Sequence, residues 1–335
     1  QLGLNELDGV LLKERKQGLP IEAGVHEGRQ LDLTGLSLQE PAVLDHRQGP
    51  VGSAARGPHD RPTCRVDSAP AFERAVAGKQ ARDARWAEGR TFGLVFDGGD
   101  EVRAVADEAA RLYLHESALN TQAFPSLGAI QSELCGWVSG LFHGPEAAGF
   151  LTSGGTESIL LAVKAARERA LDERGVKRPE VVLANSAHAA FHKGAHLFGL
   201  AVRSVPVTDD LTADVDAMAA EVGPNTALVV ASAVDYPTGL VDPVPEIAAL
   251  AASVGASCHV DACMGGFVLP FAAIEDPDAW GSPPWDLAVE GVTTISADLH
   301  KLGYAPKGAS IILHRSHQLR RYQTFDFDGW LGGRY

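Results

Sequence analysis

Ser296-Ala297-Asp298-Leu299-His300-Lys301-Leu302-Gly303-Tyr304 closes the apolar run Thr293–Ser296 and leads through Ala305-Pro306-Lys307-Gly308-Ala309 into a second run, Ser310–Leu313. Short apolar runs that break off into polar turns read as buried strands, and in a parallel sheet the carboxyl ends of such strands carry ligand-binding groups. A loop lysine taken alone is a solvated surface residue. Placed in a sheltered cleft, it forms an imine with an aldehyde once its amine is partly deprotonated, which desolvation and nearby cations promote. His300 beside it is a candidate donor to a phosphate. Which reading applies to Lys301 depends on the residues upstream.

Working outward, the same kind of run recurs at Ala148–Leu151, Val181–Ala184, Val202–Val205, Ala227–Ala231 and Ser257–Val260. Helical stretches fall between several of them, at Thr156–Arg174, Ala213–Val222 and Val244–Ser253. This alternation predicts an α/β fold with a mostly parallel sheet flanked by helices. Before the first strand the spacing predicts helices over Ala71–Gly89, Asp100–His115 and Leu127–Phe142, the last with Leu127, Ile130, Leu134, Val138 and Leu141 in register. The predicted organisation is a poorly ordered zone over 1–66, a helical segment over 67–145 and a large domain over 146–335. The chain stops in mid-pattern at Tyr335, which predicts that a C-terminal small domain is missing.

Three upstream stretches carry chemistry. Leu151-Thr152-Ser153-Gly154-Gly155-Thr156-Glu157-Ser158 sits between a strand and a long helix. Gly154 and Gly155 admit a ligand close to the backbone, the helix start offers unpaired N–H groups to an anion, and Ser153 and Thr156 add hydroxyls. A plain capped turn accounts for the same residues. In His259-Val260-Asp261-Ala262-Cys263, Asp261 falls at a strand end, where a carboxylate either keeps a ring nitrogen protonated or caps the next turn. His188, in Ser186-Ala187-His188-Ala189-Ala190-Phe191, either stacks on an aromatic cofactor or serves as a structural cap.

Composition excludes other classes of function. The 335 residues carry a formal net charge of −14, which disfavours nucleic acid and anionic membranes as partners. Four scattered cysteines, without CxxC spacing, predict neither a disulfide framework nor a zinc site and suit a reducing cytoplasm. No secretory leader is expected at the N-terminus, and no stretch approaches the roughly 20 apolar residues of a membrane span.

Together, the four stretches resemble the sphingosine-1-phosphate lyase family, within the fold-type I pyridoxal-phosphate (PLP) enzymes. The resemblance rests on Thr152–Ser158, on His188–Phe191, and above all on Ser296–Lys301 continuing to Ser310, and it covers roughly residues 72–335. It implies the PLP-dependent transferase large domain, with Lys301 as the Schiff-base lysine, His188 on the pyridine face and Asp261 on the ring nitrogen. Gly155, Thr156 and His300 are the implied phosphate residues, and Ser153 and Gly154 are implied beside them as cofactor-binding. Asn120, ahead of Phe124-Pro125, and Tyr236, in Asp235-Tyr236-Pro237-Thr238-Gly239, are implied on the substrate side. The implied reaction is retro-aldol cleavage of a phosphorylated sphingoid base to a long-chain aldehyde and phosphoethanolamine, in a homodimer with shared active sites.

The chain departs from the family pattern at Phe96, in Gly93-Leu94-Val95-Phe96-Asp97, where a tyrosine is common. That loss of a hydroxyl, together with the expected missing C-terminal part, implies weak or no activity for this chain as it stands. Two other readings remain: a PLP-dependent decarboxylase of glutamate or an aromatic amino acid, and a catalytically dead scaffold on the same fold.

Overall fold

The computed structural model describes residues 69–91, 93–275 and 283–331. The expected N-terminal zone over 1–66 and the last four residues lie outside them. By packing, the chain divides into Gln1–Ala71 and Phe72–Tyr335, and the second unit holds the sheet and the site.

Among the described residues three helices come first: α1 (Ala69–Arg82), α2 (Asp100–Tyr113) and α3 (Pro125–Leu141). The expected helix over Ala71–Gly89 ends early, at Arg82. A single 3₁₀ turn, Trp86–Glu88, follows and is closed by Gly89 in the left-handed region at φ 68°. The remaining elements are β1 (Ala148–Thr152), α4 (Gly155–Arg174), β2 (Glu180–Ala184), α5 (Ala190–Phe198), β3 (Ala201–Val205), α6 (Val215–Glu221), β4 (Thr226–Ser232), α7 (Val244–Ser253), β5 (Ser257–Asp261), α8 (Leu269–Glu275), β6 (Val292–Ala297), β7 (Ser310–His314) and α9 (His317–Arg320). All seven expected strands are present, each within a residue or two of its expected ends. Helices α5, α8 and α9 were not foreseen.

The sheet order is β1-β7-β6-β5-β4-β2-β3. Pairings from β3 to β6 are parallel, whereas β7 is antiparallel to both of its neighbours. Two successive reversals leave β1 running in the same direction as β6. The carboxyl ends of β1, β2, β4, β5 and β6 therefore share one edge of the sheet. Register aligns them closely, since Ser232 pairs with Asp261 and Asp261 with Ser296.

Period-two alternation sorts the strand residues between two cores. Val181 and Leu183 of β2 and Leu228 and Val230 of β4 face α4 and α5, packing with Ile159, Val163 and Phe191. Val182, Val229, Ala231, Val260, Ile295 and Leu313 face α3 and α7, packing with Val138, Phe142, Val244 and Ile247. Burial on both faces is why these strands read as continuous apolar runs. Each such Val, Leu or Ile contributes about 1.5–3 kcal/mol.

Candidate active site

A buried chain of hydroxyls sets the rim on the β1 side. Thr152 Oγ1 lies 2.6 Å from Ser158 Oγ, which lies 3.0 Å from Ser310 Oγ, and Ser310 Oγ donates to the Ala297 carbonyl at 3.0 Å. These bonds lock the end of β1, the first turn of α4 and the ends of β6 and β7 to one another. Within that frame the N-cap of α4 is Gly154, which has no capping side chain. Ser153 does not cap the helix, because both its N–H and its hydroxyl donate to Glu157 Oε2, at 2.7 and 2.6 Å. The first-turn N–H groups of α4 are left for an anion.

The turn after β6 is wound by its own backbone. Lys301 N donates to the Asp298 carbonyl, Tyr304 N to Lys301, and Ala305 N to Leu299. His300 Nδ1 lies 2.7 Å from the Ala309 carbonyl, an acceptor only, so Nδ1 carries the proton and Nε2 faces the cleft. Lys301 Nζ is 2.8 Å from Asp298 Oδ2, in an ion pair whose carboxylate side chain is only 3% exposed. Burial pulls the Lys301 ammonium down, but Asp298, with smaller help from Asp261, outweighs it and the net shift is upward. The nearest charge is a carboxylate, which favours the ammonium, whereas nearby cations would have favoured the free amine.

Asp261 ends β5, buried, with Oδ1 accepting from Cys263 N at 3.0 Å. Cys263 lies between the carboxylates of Asp261 and Asp298; burial first, then those two charges, push its thiol well above the usual range, so it stays protonated. His188 Nδ1 accepts from Ala190 N at 3.1 Å, which fixes its ring at the start of α5. For Asp261 and His188 the cap and the cleft position coexist: one atom caps while the side chain lines the cleft.

These groups surround a two-lobed cleft. One lobe, of about 380 Å³, is lined by Ser153, Gly154, Gly155, Thr156, His300 and Asp298. The other, of about 340 Å³, is lined by Tyr236, Asp235, Ser232 and Gly93. His188, Asp261, Cys263 and Lys301 line both. Asp235 is buried, accepts from Thr238 Oγ1 at 3.0 Å and leaves Oδ1 without a partner; burial pushes its carboxyl up.

Asn120 is not in the cleft. It is exposed, and its Oδ1 accepts from Gln122 N and Ala123 N in the turn before α3. Phe96 lines a neighbouring apolar cavity of about 290 Å³, with His300 and Lys307 on the same wall. The Lys307 ammonium stands 5.5 Å over the Phe96 ring, and burial, with the Lys301 charge, lowers its pKa. The sequence reading assigned no role to Asp298, Cys263, Glu157, Asp235 or Lys307. Asp298 had a legible signal, since it stands three residues before Lys301 in the deciding stretch.

The pyridoxal-dependent decarboxylase conserved domain matches residues 85–328. The chain belongs to that family. Rat sphingosine-1-phosphate lyase 1 is 42% identical over 254 residues, covering 76% of this chain and 44% of the rat protein. The chain thus spans less than half the length of that relative. Among solved structures, a Burkholderia pseudomallei sphingosine-1-phosphate lyase superposes with a TM-score of 0.75 at 37% identity, covering 85% of this chain and 66% of the other. A glutamate decarboxylase from Lactobacillus brevis shares the fold, with a TM-score of 0.63 at 21% identity.

The residues present fit the cofactor of this pyridoxal-dependent family. A Cβ at Gly155 would come within 2.7 Å of Cys263 Sγ and 2.9 Å of both Asp298 carboxylate oxygens, so only glycine keeps that part of the cradle open. An amine, a carboxylate at a strand end, an imidazole and an uncapped helix start also match the aldehyde, ring nitrogen, ring face and phosphate of PLP.

Proposed function

We propose that the protein is a carbon–carbon lyase of the sphingosine-1-phosphate lyase type. Its substrate in this reading is a phosphorylated 2-amino-3-hydroxy long-chain base, and its products are a long-chain aldehyde and phosphoethanolamine. The observation that carries the reading is the two-lobed cleft. Lys301, Asp261 and His188 stand where the lobes meet, and a second polar lobe with Tyr236 and Asp235 lies beside the phosphate lobe. The similarity to named lyases over three quarters of the chain supports it.

PLP, when bound, supplies a protonated ring that accepts the electron pair released as the C2–C3 bond breaks. Asp261, held at the end of β5, keeps the ring nitrogen's proton in place. Gly155, Thr156 and His300 hold the phosphate, with Ser153 and Gly154 shaping the turn. His188 covers one ring face and excludes water from it. Lys301 anchors the cofactor at Nζ and, with the Tyr236 hydroxyl, moves protons at the reacting carbons.

The reading extends to a homodimer whose sites are completed across the interface. Ile130 and Trp137, two turns apart on α3, are exposed at 43% and 66%, and Asn120 lies exposed just ahead of that helix. Such an apolar pair suits a covered face. It also extends to a cytoplasmic enzyme, which suits the free Cys135, Cys258 and Cys263. No helix among the described residues is long and apolar enough to cross a membrane.

The test is product analysis of the PLP-loaded protein with a phosphorylated sphingoid base, beside glutamate and an aromatic amino acid. Slow turnover is expected, with aldehyde and phosphoethanolamine in equal amounts. Release of carbon dioxide from an amino acid without aldehyde would replace the lyase with a decarboxylase.

A further inference from the structure

Asp298 is the most confined charge in the cleft. It is 2% exposed, its Oδ2 holds Lys301 Nζ at 2.8 Å, and its Oδ1 is buried with no hydrogen-bond partner. The groups that face it are Lys301 and His300 from its own turn, the latter with Nε2 at 3.9 Å, and Gly155 at the start of α4. Cys263 adjoins it from the turn after β5, Asp261 acts on the same lysine, and Lys307 feels its charge from the loop before β7. Among the described residues Lys301 is the one cation hydrogen-bonded to it.

That arrangement conflicts with what the family's cofactor requires. Bond formation with the aldehyde needs Lys301 as a free amine, but the pair with Asp298 holds it as an ammonium. Once Lys301 turns to the cofactor, Asp298 would remain as a buried carboxylate with one orphaned oxygen, beside a cradle that has just received a phosphate. An unpaired buried charge costs far more than a neutral group in the same place, and a bare carbonyl oxygen is tolerated where half a carboxylate is not.

We propose that Asp298 is the acid–base partner of Lys301: it holds the lysine as an ammonium before the cofactor arrives, takes its proton as the aldehyde is engaged, and then, as a neutral carboxyl, donates that proton in a hydrogen bond to a cofactor phosphate oxygen. The balance closes within the site. One proton passes from Nζ to Oδ2, the amine attacks the aldehyde carbon, and formation of the carbon–nitrogen double bond releases one water. The charge that the ion pair neutralised is removed by neutralising both partners, so the incoming phosphate meets an O–H donor instead of a like charge. This inference rests on the family's cofactor and not on the lyase reading.

The test uses the cofactor-free full chain and needs no turnover. Reductive methylation by formaldehyde and cyanoborohydride, followed at Lys301 by mass spectrometry across pH, reads the ammonium directly. In Asp298→Asn, burial is opposed only by the smaller pull of Asp261, and the midpoint of labelling is expected to fall by about one pH unit or more. Affinities are then measured for PLP and for pyridoxal, which lacks the phosphate. Because freeing the amine favours both aldehydes alike, PLP affinity is read relative to pyridoxal. Asp298→Asn, whose amide still donates an N–H, is expected to keep that ratio within about threefold of the unmodified protein, whereas Asp298→Ala should lower it about tenfold or more while pyridoxal binding is retained or tightened, which also shows that the variant has folded. An unshifted labelling midpoint overturns the ion-pair role. PLP binding tightened tenfold beyond any change in pyridoxal binding in Asp298→Asn overturns proton uptake, because it means Asp298 stays charged and repels the phosphate. Equal losses for PLP and pyridoxal in Asp298→Ala overturn the phosphate contact.

Discussion

Adjacent glycines at the start of α4 are expected to respond in opposite ways to the same added methyl group. At Gly155 the new Cβ would sit 2.7 Å from Cys263 Sγ and 2.9 Å from both carboxylate oxygens of Asp298. Neither neighbour has room to move: Cys263 is 7% and Asp298 2% exposed, and Asp298 is tied to Lys301. Overpacking against fixed atoms costs about 1–3 kcal/mol, while exchanging glycine for alanine in a helix returns about 1 kcal/mol at most. The net expectation for Gly155→Ala is a loss of up to about 2 kcal/mol, the difference between those terms. PLP affinity should fall by about tenfold or more, because the methyl occupies the cradle and displaces the N–H groups that face the phosphate. At Gly154 the backbone is extended, with φ 160°, and the nearest atom to an added Cβ is His300 Cε1 at an ordinary 3.7 Å. Gly154→Ala should therefore stay within about 0.5 kcal/mol of the unmodified protein. Urea unfolding followed by circular dichroism, and PLP titration followed by absorbance, measure both quantities. If Gly155→Ala matches Gly154→Ala in stability and in PLP affinity, the close approach of α4 to Asp298 and Cys263 does not shape the cofactor site.

Other consequences are open to direct measurement. Lys301→Ala should abolish the adduct that borohydride fixes between protein and PLP, and should destabilise the cofactor-free chain by about 1–3 kcal/mol in urea by stranding Asp298; Lys301→Ala combined with Asp298→Asn should recover part of that loss. Asp261→Ala should keep the adduct at Lys301 but weaken PLP retention by about tenfold, since one charge-assisted bond to the ring is lost; equal retention on dialysis would remove Asp261 from the ring nitrogen. Burial holds His259 near a pKa of about 3 and His314 near about 4, both below the ordinary 6.5. The unfolded chain thus binds more protons than the native one between those values, so stability should rise with pH through that window and be lost on acidification below about 6.5, by up to about 1.4 kcal/mol per pH unit for each histidine. Urea midpoints from pH 7 to 4.5 check this, and His259→Gln should flatten the slope.

The strands were legible in the sequence because both of their faces are buried: Val181–Ala184 and Ala227–Ala231 are apolar at every position, and a turn breaks each run. Helix α5 was harder to read. Its nine residues mix Phe191 with His192, Lys193 and His196, and its packing on α4 is what makes it an element. The reversal of β7 left no local trace either, since Ser310–His314 has the same composition as its parallel neighbours. In the site, Lys301, Asp261 and His188 were legible through the family resemblance, since taken singly each read as well as a cap or a surface residue. Asp235 and Lys307 were not, because neither carries a local pattern that separates it from an ordinary surface charge.

The sequence by itself determined which residue types stand at the ends of the strands, because local polarity and turn chemistry mark where each buried run stops. That was enough for the fold class and for the amine, carboxylate, imidazole and helix start. Only the tertiary structure decided how those groups act on one another. Pairing Ser232, Asp261 and Ser296 across three strands draws Lys301, Asp298 and Cys263 into one buried cluster. There the neighbour that sets the charge of Lys301 is the carboxylate of Asp298, to which the sequence reading gave no role. Electrostatic interactions depend on distance and on burial, and neither is written in the order of residues along the chain.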